Sequence, residues 1–185
     1  VLRAVMVCLL LMSMAILGRE TAAYVETVNA VNALQGNNAD TDGIPTVVID
    51  AGHGGDDPGK IGINGAPEKD INLRITEKLR QYLEADGIRV VLTRETEDGL
   101  YDASAPNKKV QDMKRRIEKI EQTDPVLTVS IHQNSYHQES ISGAQVFYYK
   151  NSENGRRLAE ILQKRFDYVL GEDGNRRSAK ANDSY

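Results

Sequence analysis

Hydrophobic and polar positions along the chain follow a pattern of short strands separated by amphipathic helices. Four β-branched or aliphatic runs each predict a strand: residues 46–50, 88–93, 126–131 and 144–149. Three segments carry apolar residues at every third or fourth position and predict helices: residues 70–86, 108–122 and 152–170. Asp70 is the expected N-cap of the first helix, and Gly87 is its expected stop. The alternation predicts an α/β fold with a mainly parallel sheet and helices on both faces.

The amino-terminal residues lack this alternation. Residues 4–18 are apolar and uncharged, and Arg3 stands directly before them, which is the pattern of an export signal or a membrane anchor. A full membrane span requires about 20 apolar residues, so the run is short, and a buried core helix is the alternative interpretation. We expect residues 1–18 to be a signal peptide or an anchor in contact with a membrane, residues 19–45 a polar linker, and residues 46–185 the folded domain. The protein is therefore expected to be exported and extracytoplasmic, in the cell wall or anchored to the membrane.

The composition narrows the classes of partner. Hydrophobic residues make up 40% and charged residues 27% of the 185 residues, which is typical of a folded globular domain. The 23 basic and 27 acidic residues leave a net charge of −4. Because nucleic-acid binding draws on surplus Lys and Arg, this balance disfavours DNA or RNA as a partner. The single cysteine excludes an intrachain disulfide framework and a multi-cysteine zinc site.

Candidate catalytic chemistry lies where the predicted strands end. His53 follows the first strand within a glycine-rich loop, and His132 follows the third. Ligands of parallel α/β sheets bind beyond the carboxyl ends of the strands, so both imidazoles can face one crevice. Imidazole is a common zinc ligand, and a catalytic zinc usually takes three protein ligands, for which Glu68 is the best third candidate. The alternatives are a solvated histidine in the loop and a Glu68 that only complements the helix dipole.

Four segments resemble, in their order along the chain, the motifs of a known enzyme family. They are residues 47–55 (VVIDAGHGG), 68–73 (EKDINL), 90–94 (VVLTR) and 130–134 (SIHQN). Together they resemble the zinc-dependent N-acetylmuramoyl-L-alanine amidases with the family-3 catalytic domain, and the resemblance covers residues 46–185. Within that family, residues 59–62 and 180–185 are most similar to the germination-specific amidases of spore formers.

The resemblance implies an activity and a set of site residues. The expected reaction is hydrolysis of the amide between N-acetylmuramic acid and L-alanine in peptidoglycan, and the substrate of the germination type is the spore cortex. Zn²⁺ would be held by His53, Glu68 and His132. Asn134 is a candidate substrate-binding residue, and Asp50 is a candidate hydrogen-bond partner for one of the histidines. The resemblance implies peptidoglycan as the substrate and identifies no regulatory protein partner.

The sequence departs from the family pattern near its end. Family members continue with a further strand whose end carries a second glutamate for proton transfer, whereas residues 171–185 are polar and contain no apolar strand. We therefore expect that the catalytic domain in residues 46–185 is truncated at its C-terminus. It would then lack its last strand and the general-base glutamate that this strand carries. Two alternatives stay open: a non-catalytic peptidoglycan-binding remnant of the same fold, and a zinc peptidase that cuts a different bond.

Overall fold

The computed structural model describes residues 43–136, 138, 141–171 and 177–183. The described residues form two compact units, and the boundary between them lies between residues 137 and 138. The predicted signal or anchor in residues 1–18 and most of the predicted linker lie outside the described residues. Within the described ranges, no helix has both the length and the apolar character that a membrane span requires.

The first unit is built around a three-stranded parallel sheet in the order β2-β1-β3. Its elements are β1 Thr46–Ala51, α1 Glu68–Ala85, β2 Arg89–Leu92, α2 Lys108–Thr123 and β3 Leu127–Ile131. The central strand pairs on both sides, with Val47 opposite Val90 of β2 and opposite Leu127 of β3. All six residues of β1 are buried, as expected for the middle strand of a covered parallel sheet. These three predicted strands and the parallel α/β fold are confirmed.

Helices cover both faces of this sheet. Alternate residues of a strand point to opposite faces, and Ile49 belongs to the core cluster on one face, against which Leu79 of α1 packs. Asp50, on the opposite face, forms an ion pair with Arg116 of α2, with 2.7 Å between Asp50 Oδ1 and Arg116 Nη1. The predicted layers are therefore observed, and the pairing of β1 with β3 brings the carboxyl ends of both strands to one edge.

The first helix begins two residues before its predicted N-cap. Pro67 is the N-cap of α1, and Asp70 lies in its first turn. The expected capping role of Asp70 is wrong because the preceding loop provides acceptors for the first helical N–H groups: Glu68 N donates to Lys60 O at 2.8 Å. At the other end, Gly87 has a φ of +78° and donates its N–H to a carbonyl of the last turn, which confirms it as the stop.

Helix α2 has a polar buried side. Its N-cap is Asn107, whose side chain accepts a hydrogen bond from Val110 N. The buried residues of α2 are Asp112 and Arg116, whereas the side chains of Val110 and Ile117 are 62% and 50% exposed. The apolar periodicity predicts that this segment is a helix, but the apolar side is not the side of α2 that is buried in the structure.

The second unit contains its own pair of parallel strands. Its elements are β4 Phe147–Tyr149, α3 Glu153–Leu170 and β5 Lys180–Asn182, and β4 pairs with β5. Ser152 caps α3, because its side chain accepts a hydrogen bond from Gly155 N at 3.0 Å. Strand β5 was not predicted, because it is polar and fully exposed and is held by backbone hydrogen bonds such as Lys180 N to Val146 O at 2.9 Å.

Candidate metal centre

Three side chains from separate parts of the first unit meet at the carboxyl edge of its sheet. His53 lies two residues past β1, His132 directly follows β3, and Glu68 is the first residue of α1. Glu68 Oε1 lies 3.2 Å from His53 Nε2 and 3.0 Å from His132 Nδ1. One donor atom of each residue lies within 4.8 Å of the other two. We call these three residues the His–Glu–His group.

Gly52 and Gly59 lie against the group, and the absence of a side chain at each provides the space for its members. A Cβ built at Gly52 collides with the ring of His132. A Cβ built at Gly59 lies 2.6 Å from His53 Cδ2 and 2.7 Å from Glu68 Oε2, and the φ of Gly59 is +66°. Contact with the group excludes a side chain at both positions, and the left-handed backbone disfavours one at Gly59 as well.

Glu68 is the buried member of the group, with 4% of its surface exposed. Its Oε2 accepts a hydrogen bond from Lys60 N, and its Oε1 accepts one from Gln133 N, both at 2.9 Å. Burial acts to raise the pKa of the Glu68 carboxyl. The two backbone hydrogen bonds and the neighbouring imidazoles outweigh burial, so this pKa lies below its ordinary value. Glu68 is therefore an ionised carboxylate at neutral pH, directed at both imidazoles.

Asn72, one turn along α1 from Glu68, links the two loops that carry the histidines. Its side chain is fully buried. Asn72 Nδ2 donates to Gly52 O at 3.1 Å, and Asn72 Oδ1 accepts from Gln133 Nε2 at 3.1 Å. Asn72 has no role predicted from the sequence, although its spacing of four residues from Glu68 places both side chains on one side of the helix.

His53 is held through its backbone and through its ring. Its φ is +64°, a left-handed conformation that residues other than glycine seldom adopt. The His53 carbonyl accepts a hydrogen bond from Arg116 Nη2 at 2.6 Å, and His53 Nδ1 lies 3.0 Å from Asp57 Oδ2. Burial acts to raise the pKa of Asp57, but hydrogen bonds from His53 and Gly59 lower it below its ordinary value. The loop, a buried arginine and a carboxylate thus hold His53 with its Nε2 toward Glu68.

Comparison with known proteins places this geometry in a family. The family model described as N-acetylmuramoyl-L-alanine amidase (Amidase_3) matches residues 47–185. The chain belongs to the N-acetylmuramoyl-L-alanine amidase family. The resemblance drawn from the four sequence motifs is therefore confirmed.

Relatives of this amidase-family chain include proteins with assigned names. The germination-specific N-acetylmuramoyl-L-alanine amidase of Bacillus subtilis is 32% identical over 120 residues, which are 63% of this chain and 50% of the relative. The amidase AmiA of Escherichia coli is 35% identical over 121 residues, which are 64% of this chain and 37% of the relative. The solved structure of the CwlD amidase from Clostridioides difficile in complex with the GerS lipoprotein matches with a TM-score of 0.72 and 37% identity, over 76% of this chain and 74% of that chain. The chain spans about half the length of the first curated relatives it matches.

Asp50 and Asn134, which the amidase motifs also indicate as candidate site residues, lie close to the carboxyl ends of β1 and β3. Asp50 Oδ1 accepts hydrogen bonds from Thr93 Oγ1 at 2.6 Å and from Arg116 Nη1 at 2.7 Å. Asp50 therefore reaches His53 through the guanidinium of Arg116, and the carboxylate that faces His53 Nδ1 is that of Asp57. Asn134 lies three residues past β3 and is exposed, and its role in substrate binding stays a prediction.

The donor set of the amidase-family chain fits a divalent metal ion such as Zn²⁺. Two imidazole nitrogens and one carboxylate oxygen form a common set of three protein ligands for a catalytic zinc. The lowered pKa of Glu68 keeps its carboxylate ionised, so the group offers a negatively charged oxygen ligand to a cation. The short distances among the donor atoms of His53, Glu68 and His132 are consistent with one shared site for such a cation.

Proposed function

We propose that the chain is an N-acetylmuramoyl-L-alanine amidase that hydrolyses the amide between N-acetylmuramic acid and L-alanine in peptidoglycan. The metal in this proposal is Zn²⁺, with His53, Glu68 and His132 as its ligands. Membership of the amidase family supports the reaction and the substrate. The observation that carries the proposal is the convergence of one donor atom from each of the three residues within 4.8 Å.

The His–Glu–His group has a buried side, formed by Glu68, and a solvent-exposed side, formed by His132. Glu68 is 4% exposed and brings its negative charge from the buried side, whereas the side chain of His132 is 43% exposed. A bound Zn²⁺ would act as a Lewis acid and activate water for attack on an amide carbonyl. The substrate therefore approaches from the side of His132, where the exposed Asn134 follows the same strand and is proposed to contact it.

Proton transfer requires a further residue in this proposal. The family pattern assigns that role to a second glutamate at the end of a further strand, which we do not identify in residues 46–185. Within the His–Glu–His group, Glu68 is the only glutamate. On α3, Glu153 and Glu160 form ion pairs with Arg156 at 2.6 and 2.8 Å. We propose neither as the general base, because both are exposed residues held by a neighbouring arginine.

The names of the relatives support a finer proposal on location and substrate. One relative is a germination-specific amidase, and one solved relative is a CwlD amidase in complex with a lipoprotein. We propose that this chain is exported, that residues 1–18 act as its signal or anchor, and that its substrate is spore-cortex peptidoglycan. A lipoprotein is the partner class that the CwlD complex suggests for it.

The proposal is tested by mass analysis of the products from purified spore-cortex peptidoglycan and from vegetative peptidoglycan. Cleavage of the lactyl amide gives stem peptides with a free L-alanine amino terminus, and we expect these products only with zinc present. Cleavage of a peptide bond instead would identify a zinc peptidase of different specificity. Peptidoglycan binding without cleavage, retained after His53→Ala and His132→Ala, would identify a non-catalytic binding module.

A further inference from the structure

Asp57 contacts the side of the His53 ring that the His–Glu–His group does not use. His53 Nε2 lies 3.2 Å from Glu68 Oε1, while His53 Nδ1 lies 3.0 Å from Asp57 Oδ2. The ring is therefore placed between two carboxylates, one at each nitrogen. Asp57 is outside the set of donor atoms that converge in the group, so its contact needs a separate explanation.

The backbone of the loop holds the Asp57 carboxylate in place. Gly54 N donates to Asp57 O at 3.0 Å and Asp57 N donates to Gly54 O at 3.1 Å, which closes a tight turn directly after His53. Asp57 Oδ1 accepts from Gly59 N at 3.1 Å. With Oδ1 engaged by the backbone, Oδ2 faces the imidazole at 3.0 Å, and the exposed Lys109 Nζ lies 3.7 Å from the same oxygen.

The hydrogen bond between Asp57 and His53 determines which tautomer the neutral imidazole adopts. In a neutral imidazole one nitrogen carries the proton and the other has a free lone pair, and the hydrogen bond made by one nitrogen decides which. A carboxylate oxygen can only accept, so the contact with Asp57 requires the proton on Nδ1. The lone pair is then on Nε2, the nitrogen that faces Glu68.

We infer that Asp57 is a positioning residue that fixes the tautomer and orientation of His53 so that Nε2 is free to bind a metal ion. The inference rests on the proposed metal-binding function of the group. A carboxylate behind a ligating histidine generally raises metal affinity, and its loss costs about 10- to 100-fold. Asp57 is outside the converging donor atoms and contacts His53 Nδ1, so its effect on the metal acts through His53.

Asp56 provides a matched control from the same loop. Its carboxylate is 71% exposed and pairs with Lys108 Nζ at 2.6 Å. Asp56→Asn and Asp57→Asn each remove one negative charge from adjacent positions. Only Asp57→Asn replaces the carboxylate at His53 Nδ1 with an amide, whose NH2 group can donate to that nitrogen and favour the other tautomer. A general effect of loop charge would therefore weaken metal binding in both variants.

The test measures the zinc dissociation constant of the full chain by competition with a chromogenic chelator. We expect Asp57→Asn to bind zinc about 10- to 100-fold more weakly than the wild type, Asp56→Asn to bind like the wild type, and Asp57→Glu to recover part of the loss. Equal affinity of Asp57→Asn and the wild type, or equal weakening in both Asn variants, would overturn the inference. A wild-type chain that binds no zinc would contradict the proposed function instead.

A second measurement does not depend on the variant folding. Long-range ¹H–¹⁵N correlation spectra of the zinc-free wild type report which nitrogen of His53 is protonated. The spectra are read for the neutral ring, because Nε2 also faces a carboxylate and a charged ring carries a proton on both nitrogens. The inference requires the single proton of the neutral ring on Nδ1, and a neutral ring protonated on Nε2 would overturn it. Thermal unfolding of the zinc-free variants shows whether Asp57→Asn retains the fold in which the comparison of affinities is made.

Discussion

Gly59 packs against two members of the group and has a left-handed backbone conformation. The Cβ that alanine would add lies 2.6 Å from His53 Cδ2 and 2.7 Å from Glu68 Oε2, two contacts that are too short for carbon and oxygen. We expect Gly59→Ala to destabilise the chain by about 1–3 kcal/mol, through backbone strain and displacement of the two side chains, and to weaken zinc binding. Urea unfolding and a zinc competition assay measure the two effects.

Gly65→Ala is the control that separates strain from contact. Gly65 has a φ of +79°, close to the +66° of Gly59, but a Cβ built at Gly65 meets no atom within 4 Å. Gly65→Ala therefore carries the backbone strain without the collision. If both variants weaken zinc binding equally, the proposed packing of Gly59 against the group is wrong.

The carboxyl of Glu68 predicts how the stability of the zinc-free chain depends on pH. Its pKa in the folded chain lies below the unfolded value of 4.5. Between the folded and the unfolded pKa, the unfolded chain binds more protons at this carboxyl than the folded chain does. The contribution of Glu68 to the free energy of unfolding is therefore fully present above pH 4.5 and is lost as the pH falls through the folded pKa. We expect Glu68→Gln to flatten this acid loss of stability in urea titrations between pH 6 and 3. An unchanged acid profile would contradict the assigned hydrogen bonding of Glu68.

The sequence predicted the members of the group better than the residues that support them. His53 and His132 follow parallel strands, and parallel strands bring their ends to one edge, so topology alone brings the two residues together. The roles of Asp57 and Asn72 depend on how the loop of residues 54–67 folds back over the sheet. The pattern of apolar positions carries no information on that path, so these contacts were found only in the structure.

At the scale of whole elements, one arginine ties α2 to the end of β1. Arg116 is 3% exposed and donates to the Ala51 and His53 carbonyls at 2.8 and 2.6 Å. Its guanidinium also pairs with Asp50 at 2.7 Å and with Asp112 at 2.6 Å. Helix α2 therefore supports the group by hydrogen bonds and ion pairs rather than by apolar packing at this point.

Loss of Arg116 should be strongly destabilising. Arg116→Met removes the guanidinium from the Asp50 and Asp112 carboxylates and the donor from the His53 carbonyl, and breaking a buried pair in this way costs about 3–5 kcal/mol. Arg115→Met is the matched control, because Arg115 pairs with Asp102 on the surface, and surface pairs contribute little. Urea unfolding measures both variants, and equal stability of the two would contradict the structural role of Arg116.

The elements that sequence analysis misjudged share a physical cause. Helix α1 starts earlier than predicted because backbone carbonyls of the loop accept its first N–H groups. Strand β5 escaped prediction because Lys-Ala-Asn has no apolar residue except alanine and pairs through its backbone. The packed side of α2 differs from its apolar side because buried charges are satisfied there. In each case a specific hydrogen bond outweighs the hydrophobic pattern.

At the scale of the molecule, the chain combines membership of the amidase family with three metal-ligand candidates that meet at one site. The first unit holds all three members of the His–Glu–His group, on elements that the α/β fold brings to one edge. The proposed domain of residues 46–185 extends across both units, and its boundaries stay a prediction.

Zinc removal should lower the stability of the folded chain. An ion that binds only the folded state stabilises it by mass action, by about 2.7 kcal/mol at a free concentration of 100 times the dissociation constant. We expect a chelator to lower the midpoint of thermal unfolding of the zinc-loaded wild type. His132→Ala should unfold at the same midpoint with and without the chelator, because it lacks one ligand.

The most direct test of the central claim is the zinc content of the purified full chain, measured by plasma mass spectrometry. The account predicts one Zn²⁺ per wild-type chain, and strongly reduced zinc in the folded His53→Ala, Glu68→Ala and His132→Ala variants. A wild-type chain that retains no zinc after reconstitution, or variants that retain as much as the wild type, would contradict it.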